Sequence, residues 1–441
     1  MSAAGLPARR ASLAALRAVE EDGAWSNRAV PAAIDGLEDA RDRRFAAHLA
    51  YDTLRWEGTL DWALATVVAR SLADVEPALR RILRLGAVQL LKTRVAPRAA
   101  VDTAAALARD AVPRTRATGA TGFVNGVLRE LARRIDALPW PDPATDPIDH
   151  LVLTTAHPAW IVVDLADRYP HERVAAILHA DNQAPGVTLR VTAGRAEVLD
   201  ELVAAGLDAV AGDLDEAIRV PGGDPRRMPV VEYGRAVPQD EASMHVVHAT
   251  GAGPGDRVLD LCAGPGGKST FLAAVVGPQG HVSAVELHPR RADLVREAAS
   301  RQGVEVEVVV GDATRPPLPP DATYDVVLLD APCTGLGTGR RRPEVRWRRT
   351  AEDAASLAAL QDRLLASAAE RVRPGGRLTY SVCTWTAVET VAVTDRFDAA
   401  VGDRFVRESR RLLLPDRDGT DGMFIATWRA IEPAGSSPLS Q

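Results

Sequence analysis

Residues 257–286 read RVLDLCAGPGGKSTFLAAVVGPQGHVSAVE. An apolar run of strand length, RVLDLCA, gives way to a glycine-rich turn and then to KSTFLAAVV, which has the length and composition of a helix. A second apolar run, HVSAVEL, follows, and the rhythm continues through RADLVREAASR, VEVEVVVGD and YDVVLLDAP. Strands separated by crossover helices predict a parallel, doubly wound sheet. In such a sheet ligands gather outside the carboxyl ends of the strands. The residues just beyond each apolar run are therefore the first candidates for chemistry.

At the first of these ends, Gly264, Gly266 and Gly267 let the backbone approach a ligand closely at a helix N-terminus. Two nucleotide templates fail there. A phosphate-cradling Walker loop needs glycine where Cys262 stands, and the dinucleotide fingerprint needs glycine where Ser269 stands. The next three runs end at Glu286, Asp312 and Asp330. Taken singly, an Asp or Glu is more often a helix cap or turn former. In series they suit a ribose diol, an adenine and an ammonium group, which together describe S-adenosylmethionine better than NAD or ATP.

All three cysteines, Cys262, Cys333 and Cys383, lie at predicted strand ends. A lone free cysteine is usually a small buried hydrophobe. Clustering at a cofactor edge favours chemistry, provided that a neighbouring charge lowers a thiol pKa. Carbon 5 of a pyrimidine is too weak a nucleophile to take a methyl group unaided. Addition of a thiolate at carbon 6 turns the ring into an enamine with electron density at carbon 5. A carboxyl group near ring nitrogen 3 and a base for the carbon 5 proton complete that scheme, and Asp330 and Cys333 are spaced for these tasks.

The remainder of the 441 residues must fill two or three cores. With 46% hydrophobic and 25% charged residues the composition is that of a globular protein, which excludes wholesale disorder. A net charge of -6 argues against coating nucleic acid through bulk positive charge, while leaving local basic patches free to bind phosphate. Three cysteines without a Cys-x-x-Cys pair make neither a disulfide framework nor a zinc site, and His157, His245 and His288 show no ligand spacing, so no metal is expected. The N-terminus lacks the apolar core of a signal peptide and no apolar run reaches membrane length, so the expectation is a cytoplasmic chain without membrane contact. Of 53 basic residues only Lys92 and Lys268 are lysines, so Lys268, inside the glycine turn, needs a reason.

Organisation along the chain follows from periodicity. Leu79, Ile82, Leu83, Gly86 and Leu90 make one face of an amphipathic helix with Arg80, Arg81 and Arg84 on the other side. Similar stretches predict an all-α domain over 1–137. Pro139, Pro141, Pro143 and Pro147 predict a linker over 138–149. A small α+β domain is predicted over 150–235, the doubly wound α/β domain over 236–432, and a polar tail over 433–441. After Cys333 come Arg340, Arg341, Arg342, Arg346, Arg348 and Arg349, with Trp347 among them. A charge run is usually a solvated face. Beside an active-site loop it reads instead as a rim for RNA phosphates.

DLCAGPGGKST, DAPCTGLG followed by RRRPEVRW, and YSVCTW with Glu389 resemble the first, fourth and sixth motifs of the RNA (cytosine-5)-methyltransferases, within them the bacterial 16S ribosomal RNA family of RsmB/Sun/Fmu type. Gly264, Glu286, Val382, Thr384 and Thr390 depart from the commoner residues of those motifs. GFVNGVLRELARR and the helices before it resemble a NusB-type domain, and HPAWIVVDLADRYP, ADNQAPGVTLRVT and VPQDEAS the family's middle region. The resemblance implies a Rossmann-like S-adenosylmethionine-dependent domain methylating carbon 5 of a cytosine in small-subunit ribosomal RNA. It also implies Cys383 as the nucleophile, Cys333 in proton removal or product release, Asp330 in contact with cofactor and base, and Lys268 as electrostatic support. The loop Cys262, Ala263, Gly264, Pro265, Gly266, Gly267 and Lys268, with Glu286, Arg291, Asp312 and Asp330, would hold the cofactor. Lysine in place of arginine at 268 fits this role, because a compact ammonium and a planar guanidinium are not interchangeable. The target base must be unpaired or flipped out for a thiolate to reach carbon 6. A transfer RNA methyltransferase of the same mechanism and a non-catalytic, antitermination-like RNA-binding protein are the alternatives. The oligomeric state stays open, with a monomer expected.

Overall fold

The computed structural model of the chain describes residues 5–192 and 194–432. The expected tail at 433–441 thus lies outside the described residues. Two compact units emerge. One runs up to Gln183 and takes in Gly339–Arg348, and the other comprises Ala184–Thr338 and the chain from Arg349 onward.

The first unit is helical. Its main helices are Leu6–Glu21, Ser26–Ile34, Ala40–Arg55, Glu57–Ala65, Pro77–Lys92, Pro97–Asp110 and Ala117–Arg134, followed by Pro147–Thr155, Ala159–Ala166 and His171–Asp181. The stripe foreseen on Pro77–Lys92 points inward, with Ile82 and Leu83 buried beside Leu49, Leu60, Val124 and Leu128. Gly86 lets this helix approach Ala117–Arg134, since a β-carbon there would collide with the Leu128 side chain. The opposite face departs from expectation. Arg81 and Arg84 are buried rather than solvated. Arg81 pairs with Glu20 at 3.0 Å and Glu21 at 2.6 Å, while Arg84 pairs bidentately with Asp61 and reaches Glu57 at 2.9 Å. Two other helices, Leu6–Glu21 and Glu57–Ala65, supply those carboxylates, so the local pattern could not show them.

The proline-rich stretch does not separate the two units. Trp140 stacks on Trp62 with centroids 4.4 Å apart, helix structure resumes at Pro147, and Thr59 Oγ1 donates to the Leu153 carbonyl at 2.6 Å. The expected linker at 138–149 is therefore part of the first unit. The boundary falls after Gln183, and the helical half of the predicted α+β region packs with the helices before it.

The second unit opens with four short strands: β1 (Val187–Val191), β2 (Val210–Ala211), β3 (Ala217–Val220) and β4 (Ala236–Pro238). They form an antiparallel sheet in the order β2-β3-β1-β4, with helix Arg195–Ala204 contributing Val198 and Leu202 to its core. Seven more strands follow: β5 (Arg257–Asp260), β6 (His281–Glu286), β7 (Glu307–Val310), β8 (Tyr324–Asp330), β9 (Val372–Val382), β10 (Phe405–Leu413) and β11 (Met423–Ala430). Their order is β10-β11-β9-β8-β5-β6-β7; β5 to β9 run parallel, and β11 is antiparallel to both its neighbours, β9 and the edge strand β10. Strand order reverses at β5, which has β6 on one side and β8 on the other. A crevice opens at the carboxyl ends of such a pair. Burial on both faces explains the near-continuous apolar runs.

Candidate active site

Helix Gly267–Val276 starts directly from the turn after β5. Gly266 caps it at φ +101°, where any side chain is strained and a β-carbon would lie 2.9 Å from the Val295 backbone. A β-carbon on Gly264 would collide with the Glu286 carboxylate. The absence of a side chain at 264 thus leaves room for the Glu286 carboxylate. Glu286 Oε2 accepts from the Gly264 amide at 3.0 Å and Oε1 from the His288 amide at 3.0 Å. Two acceptor positions of an ionised carboxylate remain. Arg291 donates to the Gly264 carbonyl at 2.5 Å and closes the loop from the other side.

Register explains why two cysteines fifty residues apart meet. Strands β8 and β9 are parallel neighbours with Asp330 opposite Ser381. Each chain leaves the sheet just beyond that pair, and Cys333 Sγ lies 3.4 Å from Cys383 Sγ. Asp330 is gripped at both oxygens: Lys268 Nζ donates to Oδ2 at 2.7 Å and Ser381 Oγ to Oδ1 at 2.7 Å. Lys268 reaches across from the helix after β5, so the glycine turn and the cysteine loops share one edge. Burial alone would lower the Lys268 pKa, but Asp330 and the negative form of Cys383 outweigh it and raise it. The Cys333 thiol is pushed well up, first by its hydrogen bond with Cys383 and then by burial.

The other predicted residues fall into place unevenly. Cys262 packs against the core beside β5 and β8, and burial pushes its thiol up, which suits a hydrophobe rather than a nucleophile. Asp312 is exposed and accepts from the Thr314 amide and hydroxyl, both at 2.8 Å, so it builds a turn just after β7. Asp260 was not among the predicted site residues. It ends β5 fully buried, accepts from Ser269 Oγ at 2.7 Å, and keeps Oδ1 without a hydrogen-bond partner. Burial, reinforced by Asp330, pushes its carboxyl up to about 7. Its position inside an apolar run hid it. Ser381 was missed too, because its role depends on strand register. Among the described residues no group of three or more His, Cys, Asp or Glu is arranged to hold a metal ion, and no helix is long and apolar enough to cross a membrane.

The arginine run needs correction. Gly339–Arg348 belongs to the helical unit, and there Arg346 is fully buried, donating to Asp181 Oδ2 at 2.5 Å and Asn182 Oδ1 at 2.7 Å. Arg348 donates to the carbonyls of Val19 and Ala24 at 2.6 and 2.8 Å, Trp347 Nε1 to that of Leu54 at 2.7 Å, and Arg342 lies over the Trp25 ring. These side chains fasten a loop; Arg346 and Arg348 are not a rim for phosphates. His157 is buried against Asp181, and burial followed by the Arg346 charge lowers its pKa to about 4.

A doubly wound sheet with a glycine turn and strand-end acids at its switch point is the frame of a nucleoside-binding enzyme, and the comparisons with known proteins make it a methyltransferase. The family model described as 16S rRNA methyltransferase RsmB/F matches residues 250–429, the NusB family model residues 6–133, and the RsmF/B-like ferredoxin-like domain model residues 157–224. A Mycobacterium tuberculosis protein named "Putative methyltransferase MT1451" is 41% identical, with 96% of this chain and 97% of that protein covered. The "Probable ribosomal RNA small subunit methyltransferase B" of Bacillus subtilis is 33% identical, with 96% and 98% covered. The solved structure of PH0851 superposes with a TM-score of 0.84 at 25% identity, covering 97% of this chain and 99% of that one. The chain belongs to the RsmB/F family of 16S ribosomal RNA methyltransferases.

Proposed function

We propose that the protein methylates carbon 5 of a cytosine in 16S ribosomal RNA through a transient bond between Cys383 and the base, which places its work in the cytoplasm. The observation that carries this reading is the 3.4 Å approach of two thiols beside the Lys268–Asp330 pair. The sulfur of Cys383 adds to carbon 6, and the ring electrons move to carbon 5. After methyl transfer the carbon 5 proton leaves to a base, with Cys333 assisting, and the carbon–sulfur bond breaks to return the electron pair to Cys383. Asp330, held by Lys268 and Ser381, contacts the base and the cofactor.

The donor set suits a cationic, hydroxyl-bearing ligand such as S-adenosylmethionine. Asp260, Glu286 and Asp330 bring three carboxylates to one edge, one of Asp260's oxygens is buried without a partner, and Gly264 and Gly266 leave the turn free of side chains. Bound there, S-adenosylmethionine supplies the methyl group. Cys262 to Lys268, Glu286, Arg291, Asp312 and Asp330 would hold it. The name of the Bacillus subtilis relative favours small-subunit ribosomal RNA over transfer RNA.

The experiment is methylation of 16S RNA with mass mapping of 5-methylcytosine. Cys383→Ala should abolish turnover, and Cys333→Ala should accumulate a protein–RNA adduct stable to denaturant. Full turnover by the Cys383 variant would refute the assignment.

A further inference from the structure

Behind the two thiols lies a polar network that the mechanism above does not use. Glu389 is fully buried. Its Oε1 accepts from the Thr334 amide at 2.8 Å and Gln361 Nε2 at 3.2 Å; its Oε2 accepts from Thr334 Oγ1 at 2.6 Å and Thr386 Oγ1 at 2.8 Å. That fills the four acceptor positions of an ionised carboxylate, and all four donors are neutral. Thr334 directly follows Cys333 and Thr384 directly follows Cys383, and their hydroxyls meet at 2.9 Å. Gln361, from helix Ala351–Ala369, also donates to the Pro332 carbonyl at 2.9 Å, and Tyr380 from β9 donates to the Glu389 carbonyl at 2.7 Å. The Glu389 side chain thus ties Thr334 directly, and Thr384 through it, to a helix, while the backbone carbonyl of Glu389 ties the same residue to a strand.

A buried carboxylate is costly unless something needs its geometry or its charge. Geometry alone could be met by glutamine. The amide oxygen would keep the Thr334 and Gln361 bonds, and the two threonine hydroxyls could rotate to accept from the amide nitrogen. The charge is another matter, because the thiol pair is electrically lopsided. Lys268 and Cys383 feel each other directly, and the ammonium favours a thiolate on that sulfur. On the other side, the hydrogen bond with Cys383 and burial oppose ionisation of Cys333 most, and the charges of Glu389 and Asp330 add to them.

Resting on the reaction proposed above, we infer that Glu389 is a positioning residue: it braces the two cysteine loops against each other and, as a carboxylate, keeps the shared proton on Cys333 so that Cys383 is the sulfur free to attack. In this arrangement Cys333 S–H donates to the Cys383 thiolate. No oxidant or further reactant is involved, because only a proton changes place between two sulfurs.

The test is alkylation of the full-length protein with iodoacetamide across about pH 6 to 9, each cysteine being followed by peptide mass spectrometry, with Glu389→Gln compared to the parent. The parent should lose Cys383 to alkylation at a lower pH than Cys333. Glu389→Gln should melt like the parent yet bring the two profiles together by about one pH unit, a roughly tenfold loss of selectivity, and should lower kcat for methylation more than it changes KM for RNA. Parallel profiles in variant and parent would reduce Glu389 to a brace and overturn the inference. So would a parent in which Cys333 reacts first, a result that stands whether or not the variant folds. Alkylation needs neither RNA nor cofactor, so a parent that fails to make 5-methylcytosine would refute the proposed reaction without touching this result.

Discussion

Two of the cation–carboxylate pairs that the molecule removes from solvent behave differently. In the helical unit, Arg346 and Asp181 each leave 1% of the side chain exposed, and the surrounding groups, Asn182 and His157, are fixed structural partners. In the sheet unit, Lys268 and Asp330 leave 13% and 29% exposed, and their neighbours are a serine that orients the acid and a thiol that can ionise. A closed pair held among structural partners is a fastening. An accessible pair beside titratable sulfur is a reactive centre. Charge count alone does not distinguish them; exposure and the chemistry of the neighbours do.

The sharpest way to break this contrast is to remove the cation from each pair. Arg346→Ala strands Asp181 as a buried charge and should cost the helical unit about 3–5 kcal/mol, read as a lowered melting transition by calorimetry. Lys268→Ala leaves Asp330 with Ser381 and access to water. It should melt close to the parent while methylation falls about 10²–10³-fold, measured by incorporation of labelled methyl groups. Equal destabilisation by the two variants would erase the distinction.

Acid and base should also separate the units. His157 titrates near 4 in the fold against an ordinary 6.5. Between those values the unfolded chain binds a proton that the folded one refuses, so acidification through that window costs the helical unit stability, about 3 kcal/mol in full. Asp260 shifts the other way, from 3.8 to about 7. There the folded chain keeps a proton that the unfolded chain has lost, so raising the pH through that window costs the sheet unit stability. Comparing His157→Gln and Asp260→Asn with the parent in melting curves from about pH 4 to 7 should remove two slopes of opposite sign. The two shifts are similar in size, so the two slopes should be comparable; the bond from Ser269 already tempers that of Asp260.

Much of the architecture was legible in the chain because the determinants are local. Alternating apolar runs and glycine breaks announced β5 to β8, and the three- and four-residue spacing on Pro77–Lys92 announced its buried face. Strand-end positions pointed to Lys268, Asp330, Cys333 and Cys383, since adjacent parallel strands deliver their ends to one place. What stayed hidden depends on partners far along the chain. Arg346 read as part of a rim for phosphates because Asp181 and Asn182 stand 165 and 164 residues away. Arg81 and Arg84 looked solvated for the same reason. Asp260 is one polar letter in an apolar strand and Gln361 one of many polar residues on its helix, so nothing local marks that one ends buried at the site and the other bonds to the backbone beside Cys333.

The excursion of residues 339–348 has a consequence for how the protein is made. The amino-terminal helices leave the ribosome long before Arg346 is translated, so for some 160 residues of synthesis Asp181 must wait without its guanidinium. A fragment ending at Gln183 would carry that deficit permanently. Dissection of this chain into independently expressed parts therefore calls for the ten-residue segment to be restored, grafted on or added as a peptide, before the helical part is judged unstable on its own.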